Sequence, residues 1–395
     1  MKFHKTYTNT GLLFSALILS AQASAVDFKA GETAVSLYGY AKLDILYDVG
    51  DISPGTNGLG EFVKFNNIAL DGPTTSGHTD LHANESRLGV RTRTPTDRGD
   101  LVVNIEGDFF FGGFRMRQAY GAWNGITAGQ TWTNFHTFAG TTPTLDFTGP
   151  IGRDATLRQT QLRYSWKNLH VALEDPSGVV SGTSFDGGYR AETGGRSIAG
   201  ADVDRKDSLP DLTLRYESGF DNVKYSTAAV LREVAFDDGD IDDSVIGWGA
   251  FLAGSVDVTP STTLRGQVTG GDGLGAYMKL NPAPAGYRVG NNLETIFSWG
   301  GTLGISQDVG PGTLNLAYSY VDADWDDALE DGVILSNGPG GTAFDSERQL
   351  IHLNYMWKPT PKLTYGVEVS QASRSAVDDR DGDVTRVQGS AIYAF

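Results

Sequence analysis

From Ala34 onward the chain alternates in twos. Val35, Leu37, Gly39, Ala41, Leu43, Ile45, Tyr47 and Val49 fall on one face, while Ser36, Tyr38, Tyr40, Lys42, Asp44 and Asp48 fall on the other. A strand sorts residues this way and a helix does not, because successive Cβ atoms of a strand point to opposite faces. The period returns in Leu101, Val103, Ile105, Gly107, Phe109 and Phe111 against Asn104, Glu106 and Asp108, and in Leu314, Leu316, Tyr318 and Tyr320 against Asn315 and Ser319. It persists to the end, where Leu363, Tyr365, Val367 and Val369 oppose Thr364, Glu368 and Ser370. Val387, Ala391, Tyr393 and Phe395 then oppose Arg386, Gln388 and Ser390.

The connections between these runs alternate between tight and long. Pro95-Thr96-Asp97-Arg98-Gly99, Asn124-Gly125, Lys167-Asn168, Ser218-Gly219-Phe220-Asp221, Thr259-Pro260-Ser261, Gly310-Pro311-Gly312 and Lys358-Pro359-Thr360-Pro361 carry the Gly, Pro, Asn and Asp that chain reversal needs. The long connections are polar and acidic: 50–79, 135–155, 176–209, 237–243, 271–291, 322–345 and 373–383, with Gly112-Gly113 as the one short outer loop. This predicts an all-β fold, a transmembrane antiparallel β-barrel of about sixteen strands with both termini on the side of the tight turns. A pair of β-sandwiches does not explain why every second connection is short. It would also bury strand faces that are too polar for a core.

Composition adds the compartment. Lys2 and Lys5, the apolar run Gly11 to Leu19 and Ala23-Ser24-Ala25 have the layout of a secretory signal peptide. Residues 1–25 are therefore expected to be removed, leaving 26–395 as one barrel. The apolar run is too short for a spanning helix, which needs ~20 residues. Cysteine is absent, so cross-strand hydrogen bonds and not disulfides must hold an exported chain together. The formal charge of −17 argues against nucleic acid as a partner. Outer-membrane lipid and lipopolysaccharide are the expected surroundings. Tyr47, Tyr120, Trp123, Tyr164, Trp166, Tyr355 and Trp357, at strand ends, fit interfacial girdles better than a sugar-stacking track.

A sheet in hydrocarbon must close and turn its apolar face outward, so its polar face lines the interior. At ~16 strands that interior is a water-filled passage. The third outer loop, Thr131-Trp132-Thr133-Asn134-Phe135 through Leu145-Asp146-Phe147 to Gly152, is rich in Phe and Thr and is expected to fold into the lumen and narrow it. Inward positions carry Lys42 and Asp44, then Arg87, Arg91 and Arg93, Glu106 and Asp108, Arg115 and Arg117, and later Arg163, Arg215, Arg265 and Arg386. Lys42, Arg87, Arg91, Glu106, Asp108, Arg115, Arg117, Asp146 and Arg163 are the expected pore-lining set. Cations outnumber acids there, and guanidinium forks bind carboxylates bidentately, so selective passage of small anions is expected. The competing reading is that these arginines only balance Glu106, Asp108 and Asp146.

The acid-rich outer loops match no calcium-loop spacing. His78, His82, His136, His170 and His352 are scattered, and no convergent catalytic motif appears. No enzyme, cofactor or metal is expected. Several stretches resemble the DcaP-like porins: Tyr38-Gly39-Tyr40-Ala41-Lys42-Leu43-Asp44, Ser86-Arg87-Leu88-Gly89-Val90-Arg91-Thr92, Glu106-Gly107-Asp108-Phe109, Arg115-Met116-Arg117-Gln118-Ala119-Tyr120-Gly121, Gly129-Gln130-Thr131-Trp132, Leu145-Asp146-Phe147 and Arg158-Gln159-Thr160-Gln161-Leu162-Arg163-Tyr164. The likeness is sharp over the first half of the chain. The resemblance implies a homotrimeric outer-membrane channel associated with dicarboxylic acids, with Arg87, Arg91, Arg115, Arg117 and Arg163 at basic positions of the pore. Some members carry a helical extension before the barrel, for which Val26 to Thr33 leaves no room. A general diffusion porin and a structural or adhesive barrel are the alternatives.

Overall fold

Alternating strands with one apolar and one polar face can satisfy both only by curling into a cylinder. In the computed structural model, which describes residues 25–176, 206–237, 239–332 and 344–395, they do so. The expected signal peptide lies outside the described residues except for Ala25, as does most of the long loop expected at 176–209.

The first half of the wall comprises β1 (Val26–Ala30), β2 (Thr33–Gly50), β3 (His78–His82), β4 (Arg87–Thr94), β5 (Leu101–Asp108), β6 (Arg115–Trp123), β7 (Ile126–Trp132), β8 (Arg158–Trp166), β9 (Leu169–Glu174) and β10 (Asp211–Phe220). The second half comprises β11 (Val223–Asp237), β12 (Asp242–Thr259) and β13 (Thr262–Asp272). A loop hairpin follows, made of β14 (Gly286–Val289) and β15 (Asn292–Thr295). Then come β16 (Phe297–Val309), β17 (Gly312–Ala323), a one-turn helix α1 (Asp326–Glu330), β18 (Asp345–Thr360), β19 (Leu363–Ala376) and β20 (Asp381–Ala394). Eighteen strands share one sheet. β1 only extends the lower edge of β2, and β3 with β4 form a single wall strand interrupted at 83–86, so the ring has sixteen members. β2 pairs with β20 from Tyr40↔Ala394 to Gly50↔Val384, which closes the ring and leaves it no free edge.

Outward positions are apolar and exposed, as at Leu303 (69 %), Ile246 (62 %) and Trp166 (57 %). The opposite face is polar and buried, and it is knitted by hydrogen bonds: Ser306 to Asn315 (2.6 Å), Asn315 to Asn354 (2.8 Å) and Asn354 to Glu368 (2.9 Å). Buried polar groups persist only when paired in this way.

Several expectations are corrected. The connection expected at 373–383 is four residues, 377–380, because β19 and β20 keep pairing up to Ser375↔Asp381. The one at 237–243 is equally short, so three outer connections are short and not one. The loops are also less polar than their charge suggests. Ile52, Leu59, Val63, Phe65 and Ile68 of segment 51–77, Phe135 and Ile151 of segment 133–157, and Leu274, Tyr277, Met278 and Leu280 of segment 273–296 pack into one apolar cluster. Burying that surface stabilises the three segments against one another, each large side chain contributing ~1.5–3 kcal/mol. Finally, the β5–β6 register shifts between Glu106 and Gly107, so that Arg117 and Gln118 are both buried and Tyr120 sits opposite the buried Asn104. A bulge of this kind reverses the faces beyond it. Tyr120 therefore shares the inner face and does not belong to an outer girdle.

Candidate functional site

The basic positions are brought together by register. Arg87 on β4 stands opposite Asp108 on β5, and Asp108 stands opposite Arg115 on β6, so three strands deliver alternating charge to one level of the wall. Arg115 grips Asp108 with two parallel bonds, Nε to Oδ1 at 2.8 Å and Nη2 to Oδ2 at 2.5 Å. The bulge adds Arg117, which donates from Nη1 to Asp108 (2.7 Å) and from Nε to Glu106 (3.0 Å). Arg87 Nε lies 3.6 Å from the same Glu106 carboxylate. Gly89, opposite Glu106, leaves room for the Tyr38 ring, whose hydroxyl donates to Asn104 (2.8 Å). Arg91 donates to that Asn104 oxygen at 3.2 Å and lies 5.6 Å from the Tyr38 ring centre.

The other expected residues stand around this network. Lys42 is buried and pairs with Glu85, which the break between β3 and β4 presents to it, and with Asp44 at 3.3 Å. It also donates to the Leu145 carbonyl at 3.0 Å. Arg163 faces a different part of the wall and donates to Gln161 (2.8 Å) and to the Trp132 carbonyl (2.5 Å). Asp146 does not neutralise the arginines, since its ion pair is with His352 at 3.6 Å. Burial pushes the Asp146 carboxyl up, but the His352 imidazole outweighs it and holds the group below the ordinary carboxylate value.

Segment 133–157 is tied to the polar faces of distant strands. The amides of Leu145 and Asp146 donate to the two oxygens of Glu368 on β19, each at 2.9 Å, and the Ile151 amide donates to Ser319 on β17 at 3.1 Å. Gly152, at φ +65°, lies so close to the Tyr320 carbonyl that any Cβ would collide with it. Such an approach of two backbones requires glycine. At the base of the segment Thr133 donates to Glu174 at 2.6 Å. Burial holds the His136 imidazole below its usual value despite Asp154 3.0 Å away.

Between this segment and the wall lies a partly enclosed space that opens to solvent. It brings Arg87 and Arg117 of the expected set together with Arg153 and Arg158, which sequence reasoning did not select. Arg153 belongs to the loop, where it pairs with Asp154 at 3.0 Å. Arg158 has the parity of the outward residues of β8, but it opens the strand opposite Trp132, and its guanidinium lies 4.7 Å from that ring's centre. The signal available in the sequence was the adjacency of Arg158 to a predicted strand end, where parity no longer dictates direction.

The model of a family described as DcaP outer membrane protein matches residues 5–263. No curated protein matches the chain. Among solved structures, the outer membrane channel DcaP of Acinetobacter baumannii is similar at TM-score 0.76 and 22 % identity, over 93 % of this chain and 99 % of that one. An anion-selective porin from Comamonas acidovorans is similar at TM-score 0.54 and 13 % identity, over 92 % and 100 %. OmpT, an outer membrane protein of Vibrio cholerae, is similar at TM-score 0.53 and 12 % identity, over 94 % and 100 %. At these identities the structural likenesses establish the fold.

Proposed function

The chain belongs to the DcaP outer membrane protein family and is an outer-membrane channel, and we propose that this channel prefers small anions, carboxylates and dicarboxylates among them. One observation carries the reading. Along β4 to β8 the wall gathers Arg87, Arg91, Arg115, Arg117 and Arg158 about Glu106 and Asp108, while the nearby acids Glu85 and Asp146 are engaged by Lys42 and His352. Charge balance alone would not leave the guanidiniums of this stretch in excess of the acids they touch. The surplus lies in a narrow, partly dehydrated space, where fixed charge acts more strongly than in bulk water.

In this reading segment 133–157 lies across the lumen and is the constriction, held by Glu368 on one side and Glu174 on the other. A solute entering from outside passes between the segment and the wall of β4 to β8, exchanging hydration water for guanidinium contacts. No step needs a covalent change, so movement follows the concentration gradient. Residues 1–25 act as a removable signal, the barrel assembles as a homotrimer through its apolar walls, and lipid and lipopolysaccharide cover the rest.

Flux into liposomes containing the purified protein tests the preference, with succinate compared against a neutral sugar of similar size. Arg117→Ala should slow succinate more than sugar. Equal loss of both would favour a general diffusion pore in which the arginines only balance acids, and no flux of either would favour a structural or adhesive barrel.

A further inference from the structure

We infer that segments 51–77 and 273–296 are a stopper that shuts the β17–β20 side of the outer mouth, and that Phe65 is the residue that keeps the guanidiniums of that side out of the solute's path. The inference goes beyond the anion-preferring reading, because it identifies cations of the inner face that a solute does not meet. It begins from an anomaly of the wall. The inward face is polar at Ser319 on β17, His352 on β18 and Ser370 on β19, yet at the next inward position toward the outer ends it turns apolar, at Val321, Leu350 and Ala372, all buried. Apolar groups on the wall of a water-filled passage would be left in contact with water. Here they are covered, since they belong to one apolar cluster with Ile52, Phe65 and Ile68 of the first segment and Leu274, Tyr277 and Met278 of the second.

Beside this apolar level stand two buried cations. Arg348 on β18 and Arg374 on β19 are directly opposite in register and share the carboxylate of Asp345, at 2.6 Å and 3.0 Å. Like charges so placed repel. The two segments add neutral acceptors: Arg374 donates to the Phe65 carbonyl at 3.1 Å and Arg348 to the Leu280 carbonyl at 3.2 Å. The Arg348 guanidinium also lies 5.3 Å from the centre of the Phe65 ring, so Phe65 touches one cation through its carbonyl and the other through its face. Arg386 on β20 repeats the arrangement, held by Asp48 with bonds of 2.7 and 2.8 Å and donating to the Gly60 carbonyl at 2.7 Å. The first segment comes so close to β20 that a Cβ on Gly382 would collide with the Ala69 carbonyl. The second is tied to segment 133–157, the Ala155 amide donating to the Tyr277 carbonyl and the Lys279 amide to the Arg153 carbonyl, each at 2.8 Å. With this side shut, the passage is confined to the opposite wall, and Arg348 and Arg374 hold the stopper in place without acting on the solute.

The chain has no cysteine, so single cysteines report access to the lumen against a silent background. In the purified full-length protein, Thr127→Cys, opposite Arg163 on the inner face of β7, should react with a small charged thiosulfonate. Ala372→Cys should react roughly a hundredfold more slowly, as a site reached only when a packed segment lifts. Phe65→Ala should bring Ala372→Cys to within about tenfold of Thr127→Cys. In planar bilayers the same substitution should raise the unitary conductance and also the anion-to-cation permeability ratio, the latter about threefold, the scale of one uncovered charge near the path. A wall that merely loosened would widen the pore and lower the ratio, so a larger conductance with an unchanged or lower ratio would overturn the role of Phe65. Equal labelling of Ala372→Cys and Thr127→Cys in the otherwise unaltered protein would overturn the stopper itself, and that comparison decides the matter if the Phe65 variant yields no channels. Neither result changes the sign of the unaltered protein's reversal potential, which tests the anion preference separately.

Discussion

Asp108→Asn separates a charged pore from a balanced wall. Asp108 is fully buried between Arg115 and Arg117, with contacts of 2.5 to 2.8 Å, so the substitution removes one negative charge and leaves two guanidiniums facing each other. Removing one partner of a buried ion pair costs ~3–5 kcal/mol, so the variant should unfold at lower temperature in detergent. Its effect on ions can be sized separately. For an ion passing ~7 Å away in a water-like medium, one unit of fixed charge is worth ~0.6 kcal/mol, roughly halved by screening at ~0.1 M salt. The effect has opposite sign for anions and cations, so the anion-to-cation permeability ratio should rise roughly threefold. Reversal potentials of variant and unaltered protein under the same salt gradient measure it. An unchanged ratio, or one that moves toward cations, would show that Asp108 and its arginines do not face the ion path.

Other perturbations address other steps. Leu303→Arg places charge on an outward position that is 69 % exposed and should cost ~2–4 kcal/mol near the bilayer midplane, while Thr302→Arg on the inner face should still insert; equal insertion of both, scored by resistance to detergent unfolding, would contradict the assignment of faces. Gly152→Ala should push segment 133–157 off the Tyr320 carbonyl and give noisier, larger unitary currents; steady currents of unchanged size would show that this contact does not set the constriction. Asp146 has its carboxyl held below the ordinary value, so on the Asp146 side the pair with a protonated His352 is complete above the ordinary carboxylate range and lost as the pH falls below it; current noise should rise under that acidic condition, and steady currents there would show that the pair does not hold the segment.

Much of the architecture could be read from the chain because each wall residue answers to one of two solvents, which leaves a period of two in the letters. The runs at Val35 to Val49 and at Leu363 to Ser370, and five of the seven tight turns, stand where the pattern puts them, whereas β10 runs on through Phe220 and β18 through Thr360, which moves those two reversals to 221–222 and 361–362. Local irregularity escaped it. A bulge adds one residue at Arg117 without any mark in the sequence, and it carries Tyr120 to the other face. Length of pairing escaped it too, since Ser373 and Asp383 look like loop residues yet pair directly across β19 and β20. The charges of β2, β4, β5 and β6 were legible because adjacent strands enforce their meeting. Glu85 and Arg158, which sit where strands break or begin, were not. The apolar residues of the first and sixth outer loops also passed unremarked, because their burial depends on segments more than 200 positions apart finding each other, as Phe65 and Tyr277 do within one cluster.

The most direct test is the reversal potential of the unaltered protein in a planar bilayer with a potassium chloride gradient. The excess of guanidiniums along β4 to β8 over the acids they touch predicts a potential on the chloride side of zero. A potential on the potassium side would contradict it and would place the permeating path away from Arg87, Arg115, Arg117 and Arg158.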